Sequence, residues 1–290
     1  MKVTFWGVRG SFPVAQSQCL HYGGNTPCVE VEAGDSTIII DAGTGIDQAG
    51  KNLVERGVRQ IDLLISHTHW DHVQGFPHFA PLYRPDTNIR ICGPKRPDRS
   101  LEEILATLQQ PQFSSTPLDQ IAAKIEFIEL QEDGNFSIDE CRVQCRRLNH
   151  PGVTYGYRIE HQDLVFSYIC DSDIFGEMLL GDHLPAASKR DREESLERLR
   201  QGTRDLAHRT DILVCDTFFM PDEYDPGWGH SRPDDALRLA RETQTRRLAL
   251  FHHRPERTDD ELAEIFAHYQ SRAPDGIELL VARERLQVIL

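Results

Sequence analysis

The stretch Ser66-His67-Thr68-His69-Trp70-Asp71-His72 constrains this chain more than any other. It follows Ile61-Asp62-Leu63-Leu64-Ile65, an apolar run that reads as a buried strand, and Gly75 and Pro77 come soon after. The segment is therefore expected on a loop at a strand end. Four metal-capable side chains fall within six residues. Imidazole and carboxylate suit zinc and its neighbours in the first transition row. In extended backbone His67 and His69 point to the same side, by the period of two, and can grip one ion together. Asp71 and His72 lie one step further on, with room to reach a second ion.

A polar, metal-capable residue after an apolar strand recurs along the chain. Leu148-Asn149-His150, Ile169-Cys170-Asp171 and Leu250-Phe251-His252 each show it. Alone, each suits a turn or a cap. Together with His67, His69, Asp71 and His72 they make seven ligands in a sensible order. Two three-residue sets and one shared carboxylate are what a pair of adjacent divalent ions requires. His253 could exchange with His252, but His252 directly follows the strand and is the preferred ligand.

Around these positions the chain reads as alternating strands and helices. Strands are predicted at 2–8, 28–33, 36–41, 61–65, 88–92, 124–130, 140–148, 155–161, 163–169, 211–215, 246–251, 277–281 and 285–289. Helices are predicted from about 46 to Gly57 and over 99–109. Ser231 with Asp234, and Thr258 with Glu261, have capping-box spacing that predicts helix starts. Ala33-Gly34-Asp35 signals a hairpin. The alternation argues α/β, and hairpin-like strand pairs argue against a purely parallel sheet. One domain of 1–290 is expected, with a helical insertion around 176–210 bounded by Gly176, Gly181 and Pro185. In it Leu196, Leu199 and Leu206 make an apolar face that packs on the body or meets a partner subunit. Residues 110–118 read equally as a lid or a packed surface loop.

The bulk numbers bound the function. Net charge is −14, which disfavours long polyanions, since their binding rests on Lys and Arg. It leaves room for a small phosphate ester, because metals supply local positive charge. The seven cysteines are scattered and form no CxxC pair, so reduced thiols are expected rather than a disulfide framework or a zinc-thiolate site. No apolar run approaches the ~20 residues that span a bilayer. With no signal-peptide pattern at the start, the expected location is the cytoplasm.

His67-Thr68-His69-Trp70-Asp71-His72, with His150, Asp171 and His252, resembles the metallo-β-lactamase-fold hydrolases, over nearly the whole chain. The resemblance implies a four-layer αββα sandwich and two divalent ions, zinc in the first place, with manganese or iron as alternatives. It implies that His67, His69 and His150 hold one ion, that Asp71, His72 and His252 hold the other, and that Asp171 bridges. It also makes Asp41 a structural aspartate behind the metal loop.

Asp216 and His230 are similar to the acidic residue and histidine that ribonuclease Z and its phosphodiesterase relatives place beside the metals. Trp6-Gly7-Val8-Arg9-Gly10-Ser11 and Tyr22-Gly23-Gly24-Asn25-Thr26 resemble the same branch. Their glycines expose backbone N–H groups, so Arg9, Ser11, Asn25 and Thr26 are candidates for an anion site, although Gly23-Gly24-Asn25 reads equally as an ordinary turn. Ribonuclease Z carries a long arm between the positions of His150 and Asp171. Here only residues 151–170, twenty in all, lie between them.

The implied function is metal-dependent hydrolysis of a small phosphodiester, foremost a 3′,5′-cyclic nucleotide. Asp71 positions the attacking water, and His230, oriented by Asp216, protonates the departing oxygen. Trp70, Tyr83, Phe113, Phe218 and Trp228 are candidates to stack on a base. Three alternatives remain open: hydrolysis of a carboxylic ester, lactone or thioester; a nuclease acting on RNA or DNA ends; and a non-catalytic scaffold. A homodimer is possible, with the 188–209 helix as the candidate contact.

Overall fold

Ile38-Ile39-Ile40 sets the pattern of the first half of the chain. Three consecutive β-branched residues favour strand, and all three are fully buried. Such burial is worth roughly 1.5–3 kcal/mol per side chain. The computed structural model describes residues 1–178 and 188–290, and its contacts divide the chain into two units. The first comprises residues 1–131, 138–140 and 283–289, and the second residues 132–137, 141–282 and 290.

In the first unit β1 (Lys2–Gly7), β2 (Cys28–Ala33) and β3 (Ser36–Ile40) form an antiparallel meander. The β2–β3 turn holds Gly34 at φ 59°, which fits the expected hairpin. After β3 the chain enters α1 (Ile46–Glu55) and returns as β4 (Gln60–Leu64), parallel to β3. A one-turn helix, α2 (Trp70–Val73), precedes β5 (Asn88–Pro94), α3 (Leu101–Leu108) and β6 (Lys124–Leu130), which extend the sheet in parallel. The return segment that ends in the last strand of the chain, Gln287–Ile289, pairs antiparallel with β1 and completes seven strands. Ile46, Ala49 and Leu53 of α1 and Leu101, Leu105 and Leu108 of α3 are spaced three and four apart. They bury against Ile39, Leu63 and Ile91 in one apolar cluster.

The second sheet runs from β7 (Asn135–Ile138) through the antiparallel β8 (Cys141–Arg147), β9 (Tyr155–His161) and β10 (Leu164–Ile169). From there β11 (Ile212–Asp216), β12 (Arg247–Phe251) and β13 (Glu278–Val281) add in parallel. β7 was not expected from the sequence: four residues with one buried side chain give little period to read. The closing strand of the first sheet is β14 in chain order.

Helix α4 (Lys189–Ala207) begins at a Ser188–Asp191 capping box. Leu196, Leu199 and Leu206 are buried, and the helix packs on β8, β9 and β10. The leucine face is therefore spent within the unit and does not serve as the dimer contact considered above. Gly181 and Pro185, expected to bound this region, lie outside the described residues. α5 (Pro233–Glu242) packs on β11 and β12, and α6 (Asp259–Gln270) on β13. Thr258 and Glu261 form the predicted capping box. Ser231 does not cap α5: the N-cap is Arg232, whose partner is Asp235, and the Ser231 hydroxyl instead donates to Ser172 O at 2.5 Å. Each unit thus carries a mixed seven-stranded sheet with helices against it.

All seven cysteines are buried thiols, and burial pushes those of Cys28 and Cys215 well above the usual thiol range. Among the described residues no helix is long and apolar enough to cross a membrane.

Candidate metal centre

The loop after β4 is tied to the loop after β3. Asp41 Oδ1 accepts the Ser66 N–H at 2.7 Å, and Oδ2 accepts the Ser66 hydroxyl at 2.8 Å. Asp41 Oδ2 also lies 2.8 Å from His72 Nδ1. A carboxylate only accepts, so Nδ1 carries the hydrogen and the lone pair of His72 sits on Nε2. Asp41 is fully buried at φ 64°, a left-handed backbone that costs a non-glycine residue roughly 1–2 kcal/mol. The two loops also exchange backbone bonds, Ala42 N–H to His72 O at 2.8 Å and Gly75 N–H to Ala42 O at 2.9 Å. A Cβ on Gly75 would lie 2.1 Å from Gly43 O, so only glycine permits this approach.

On that scaffold His67 and His69 meet edge to face, with ring centroids 4.5 Å apart, and His67 and His72 lie 4.2 Å apart. His67, Asp71 and His72 are buried and His69 is exposed. Asp71 Oδ2 accepts the Ser11 N–H at 2.7 Å and lies 3.4 Å from His72 Nε2.

In the second unit, strand ends bring His150, Asp171, Asp216 and His252 together with His230. Asp171 and His252 have left-handed backbones, at φ 53° and 60°. His150 Nδ1 lies 2.8 Å from Gly229 O, so it donates there, and its Nε2 is 3.6 Å from Asp171 Oδ2. His252 Nε2 lies 3.2 Å from Asp171 Oδ1. Ligand atoms of Asp171, Asp216, His230 and His252 all fall within 4.8 Å of one another. His253 turns elsewhere, its Nε2 bonded to Ala282 O at 2.8 Å, so His252 is the one that joins the cluster.

His230 Nδ1 is 2.7 Å from Asp216 Oδ2. Asp216 also accepts the N–H groups of Ser172 at 3.2 Å and Phe218 at 3.0 Å, which fixes the carboxylate that orients the ring. Nearby, burial pushes the Asp173 carboxyl up to about 6, against the opposing hydrogen bond from the Tyr224 hydroxyl at 2.6 Å. Buried carboxylates demand a compensating cation or proton. The imidazole nitrogens and carboxylate oxygens gathered in the second unit fit a divalent ion of the zinc, manganese and iron group.

The expected anion site needs correction. Arg9 is fully buried, with Nε donating to Gly23 O at 2.7 Å. Thr26 is fully buried and bonds Thr44 in both directions. Asn25 donates through its backbone and side chain to Glu284, at 2.7 and 3.0 Å. These side chains fasten loops. Ser11 touches a candidate ligand, through its backbone N–H to Asp71. The sequence also gave no sign of the Gly229 carbonyl or of the Asp173–Tyr224 bond: a backbone oxygen has no residue-type signal, and Tyr224 is one aromatic among many.

Comparison with known proteins places the chain. The family model described as the Beta-lactamase superfamily domain matches residues 36–188. Ribonuclease Z of Archaeoglobus fulgidus is 24% identical, over 87% of this chain and 86% of that protein. The metallo-β-lactamase-fold protein YhfI from Bacillus subtilis superposes with a TM-score of 0.69 at 17% identity, covering 99% of this chain and 98% of that one. A diphosphatase of the PhnP family superposes with a TM-score of 0.66 at 16% identity, covering 100% and 97%. The αββα fold class expected from the sequence is the one these likenesses show, and the chain belongs to the β-lactamase superfamily as a hydrolase of the metallo-β-lactamase fold.

Proposed function

We propose that this chain is a cytoplasmic, dinuclear metal-dependent phosphodiesterase that hydrolyses a small phosphodiester, with a 3′,5′-cyclic nucleotide as substrate. One observation carries the reading: His230, held by Asp216 at 2.7 Å, stands among ligand-type side chains. A carboxylate-oriented imidazole is a proton donor for a departing alkoxide, a need that esters and lactones place less heavily on an enzyme. The relatives support phosphate chemistry by their names, a ribonuclease and a diphosphatase. The β9–β10 hairpin takes up most of residues 151–170, where a long RNA-binding arm would have to start. The charge of −14 also disfavours a long polyanion.

In this reading His67, His69 and His150 would hold one ion, Asp71, His72 and His252 the other, with Asp171 shared between the two sets. Bound ions of this kind polarise phosphoryl oxygens and acidify water. The chain's own residues do the rest. Asp41 and the Gly229 carbonyl hold His72 and His150 in the tautomer that offers Nε2. Asp71, fixed by the Ser11 N–H, orients the attacking water in line with the scissile bond. His230 delivers a proton from Nε2 to the ribose oxygen as it leaves.

The leaving group supplies the test. His230→Ala is expected to lower kcat for 3′,5′-cyclic AMP by roughly 100- to 10,000-fold. Bis-p-nitrophenyl phosphate, whose phenolate departs without a proton, should lose far less, and metal content should be unchanged. Equal losses on both substrates contradict the proton-donor role, and loss of metal makes His230 a ligand instead.

A further inference from the structure

The chain between β11 and α5 closes on itself beside His230. The Phe219 N–H donates to Ser231 O at 3.2 Å. The Ser231 hydroxyl, bonded to Ser172 O, also accepts the Ile174 N–H at 3.2 Å. Two local turns lie within the loop. The Glu223 N–H donates to Met220 O at 3.0 Å, and the Trp228 N–H to Asp225 O at 3.2 Å. Tyr224 stands between these turns.

Tyr224 is held at its hydroxyl, its face and its edge. The hydroxyl donates to Asp173 Oδ2 at 2.6 Å, a charge-assisted bond. The Arg232 guanidinium lies 4.3 Å from the ring centroid, a cation–π contact. That guanidinium is itself bonded to Asp235 at 2.7 and 3.1 Å. Phe219 meets the Tyr224 ring edge to face at 6.3 Å, and meets His230 at 6.2 Å in a similar crossing. One tyrosine thus touches a ring that packs on His230 and the residue two places after His230. The far end of its bond is fixed too. Asp173 is buried, two residues after Asp171, and its N–H donates to Asn149 O at 2.9 Å, next to His150. The Tyr224–Asp173 bond therefore ties the loop that carries His230 to the strand ends that carry candidate ligands.

We propose that Tyr224 is a positioning residue for His230, acting through its bond to Asp173 to hold the loop so that proton delivery stays aligned. This rests on the phosphodiesterase reading and adds to it the residue that keeps the proton donor in place. Asp216 orients the His230 ring through Nδ1, but where the ring stands is set by the backbone that bears it. Pro221 and Pro226 in that loop lack an N–H to give, so ties from side chains carry the placement. An error of about 1 Å in such a placement can cost 100-fold in rate.

The test compares metal-loaded wild type, Tyr224→Phe and His230→Ala on 3′,5′-cyclic AMP and on bis-p-nitrophenyl phosphate. Phenylalanine keeps the ring and its contacts with Phe219 and Arg232, so a difference between substrates reads the hydroxyl. Tyr224→Phe is expected to lower kcat for the cyclic nucleotide about 10- to 100-fold, with KM, metal content and bis-p-nitrophenyl phosphate turnover within about twofold of wild type. If Tyr224→Phe fails to fold with Asp173 left unpaired, Tyr224→Phe/Asp173→Asn removes the buried charge and is read in the same way. Equal change on both substrates, no change on either, or loss of metal overturns the positioning role. The phosphodiesterase reading then stands if His230→Ala still separates the two substrates. A His230→Ala protein that does not separate them, or a loaded wild type that hydrolyses neither, overturns both.

Discussion

Asp41 shows how much one carboxylate can decide. It accepts from Ser66 twice and from His72 once, fully buried and at positive φ. Asparagine tolerates the left-handed backbone but cannot accept from three donors in the same way. Asp41→Asn is therefore expected to fold with little change in Tm and to bind metal roughly 10- to 100-fold more weakly. Asp41→Ala should add a loss of roughly 1–3 kcal/mol from donors left unpaired in the core, read as a lower Tm. Equal metal affinity in wild type and Asp41→Asn would remove Asp41 from the support of His72. At this scale the proposed ligands stand out in the sequence by type and by their place after strands. Their neighbours were not. Arg9, Asn25 and Thr26 beside glycines look alike whether they meet an anion or a carbonyl, and only their partners, Gly23, Glu284 and Thr44, decide.

At the scale of elements, the chemistry gathers at carboxyl ends of strands. Asp41 follows β3, Ser66 and His67 follow β4, Asp171 follows β10, Asp216 ends β11 and His252 follows β12. These strands run parallel to a neighbour in their own sheets, so their ends converge on one edge of each sheet, where open α/β sheets place ligands. Backbone bent to positive φ at Asp41, Asp171 and His252 turns the side chains back over that edge, and such local cost is typical of functional positions. The strands were readable because Ile38-Ile39-Ile40 and Leu63-Leu64-Ile65 are continuous apolar runs. The cap of α5 was misplaced by one residue because Ser231 and Arg232 precede the same proline, and the competing bond from Ser231 to Ser172 has no local signature. Gly75 gives the test at this scale. A methyl there meets Gly43 O, so Gly75→Ala should push the Asp71–His72 turn away from Ala42, at a cost of roughly 1–3 kcal/mol and with weaker metal retention. Unchanged Tm and metal content would show that the two loops have slack.

For the whole molecule, charge and the length of the chain between two candidate ligands bear on the proposed substrate. The net charge of −14 and the β9–β10 hairpin between His150 and Asp171 support the proposed small substrate, whose charge would be met locally by metal rather than by a basic face. Order of motifs along the chain made the fold class legible, since the superfamily match and the likeness to YhfI agree with it. Packing was less legible: the leucine face of α4 favoured the body but left a partner open until its contacts with β8, β9 and β10 settled it. The central claim is tested most directly by hydrolysis of 3′,5′-cyclic AMP in one preparation, measured before chelation, after chelation and after return of zinc, manganese or iron, with metal per chain counted by mass spectrometry. Two ions per chain are predicted, with turnover lost on chelation and recovered on metal return. Full-rate hydrolysis by the stripped protein would contradict the account, as would a fully loaded protein that opens acyl-homoserine lactone and leaves every phosphodiester intact.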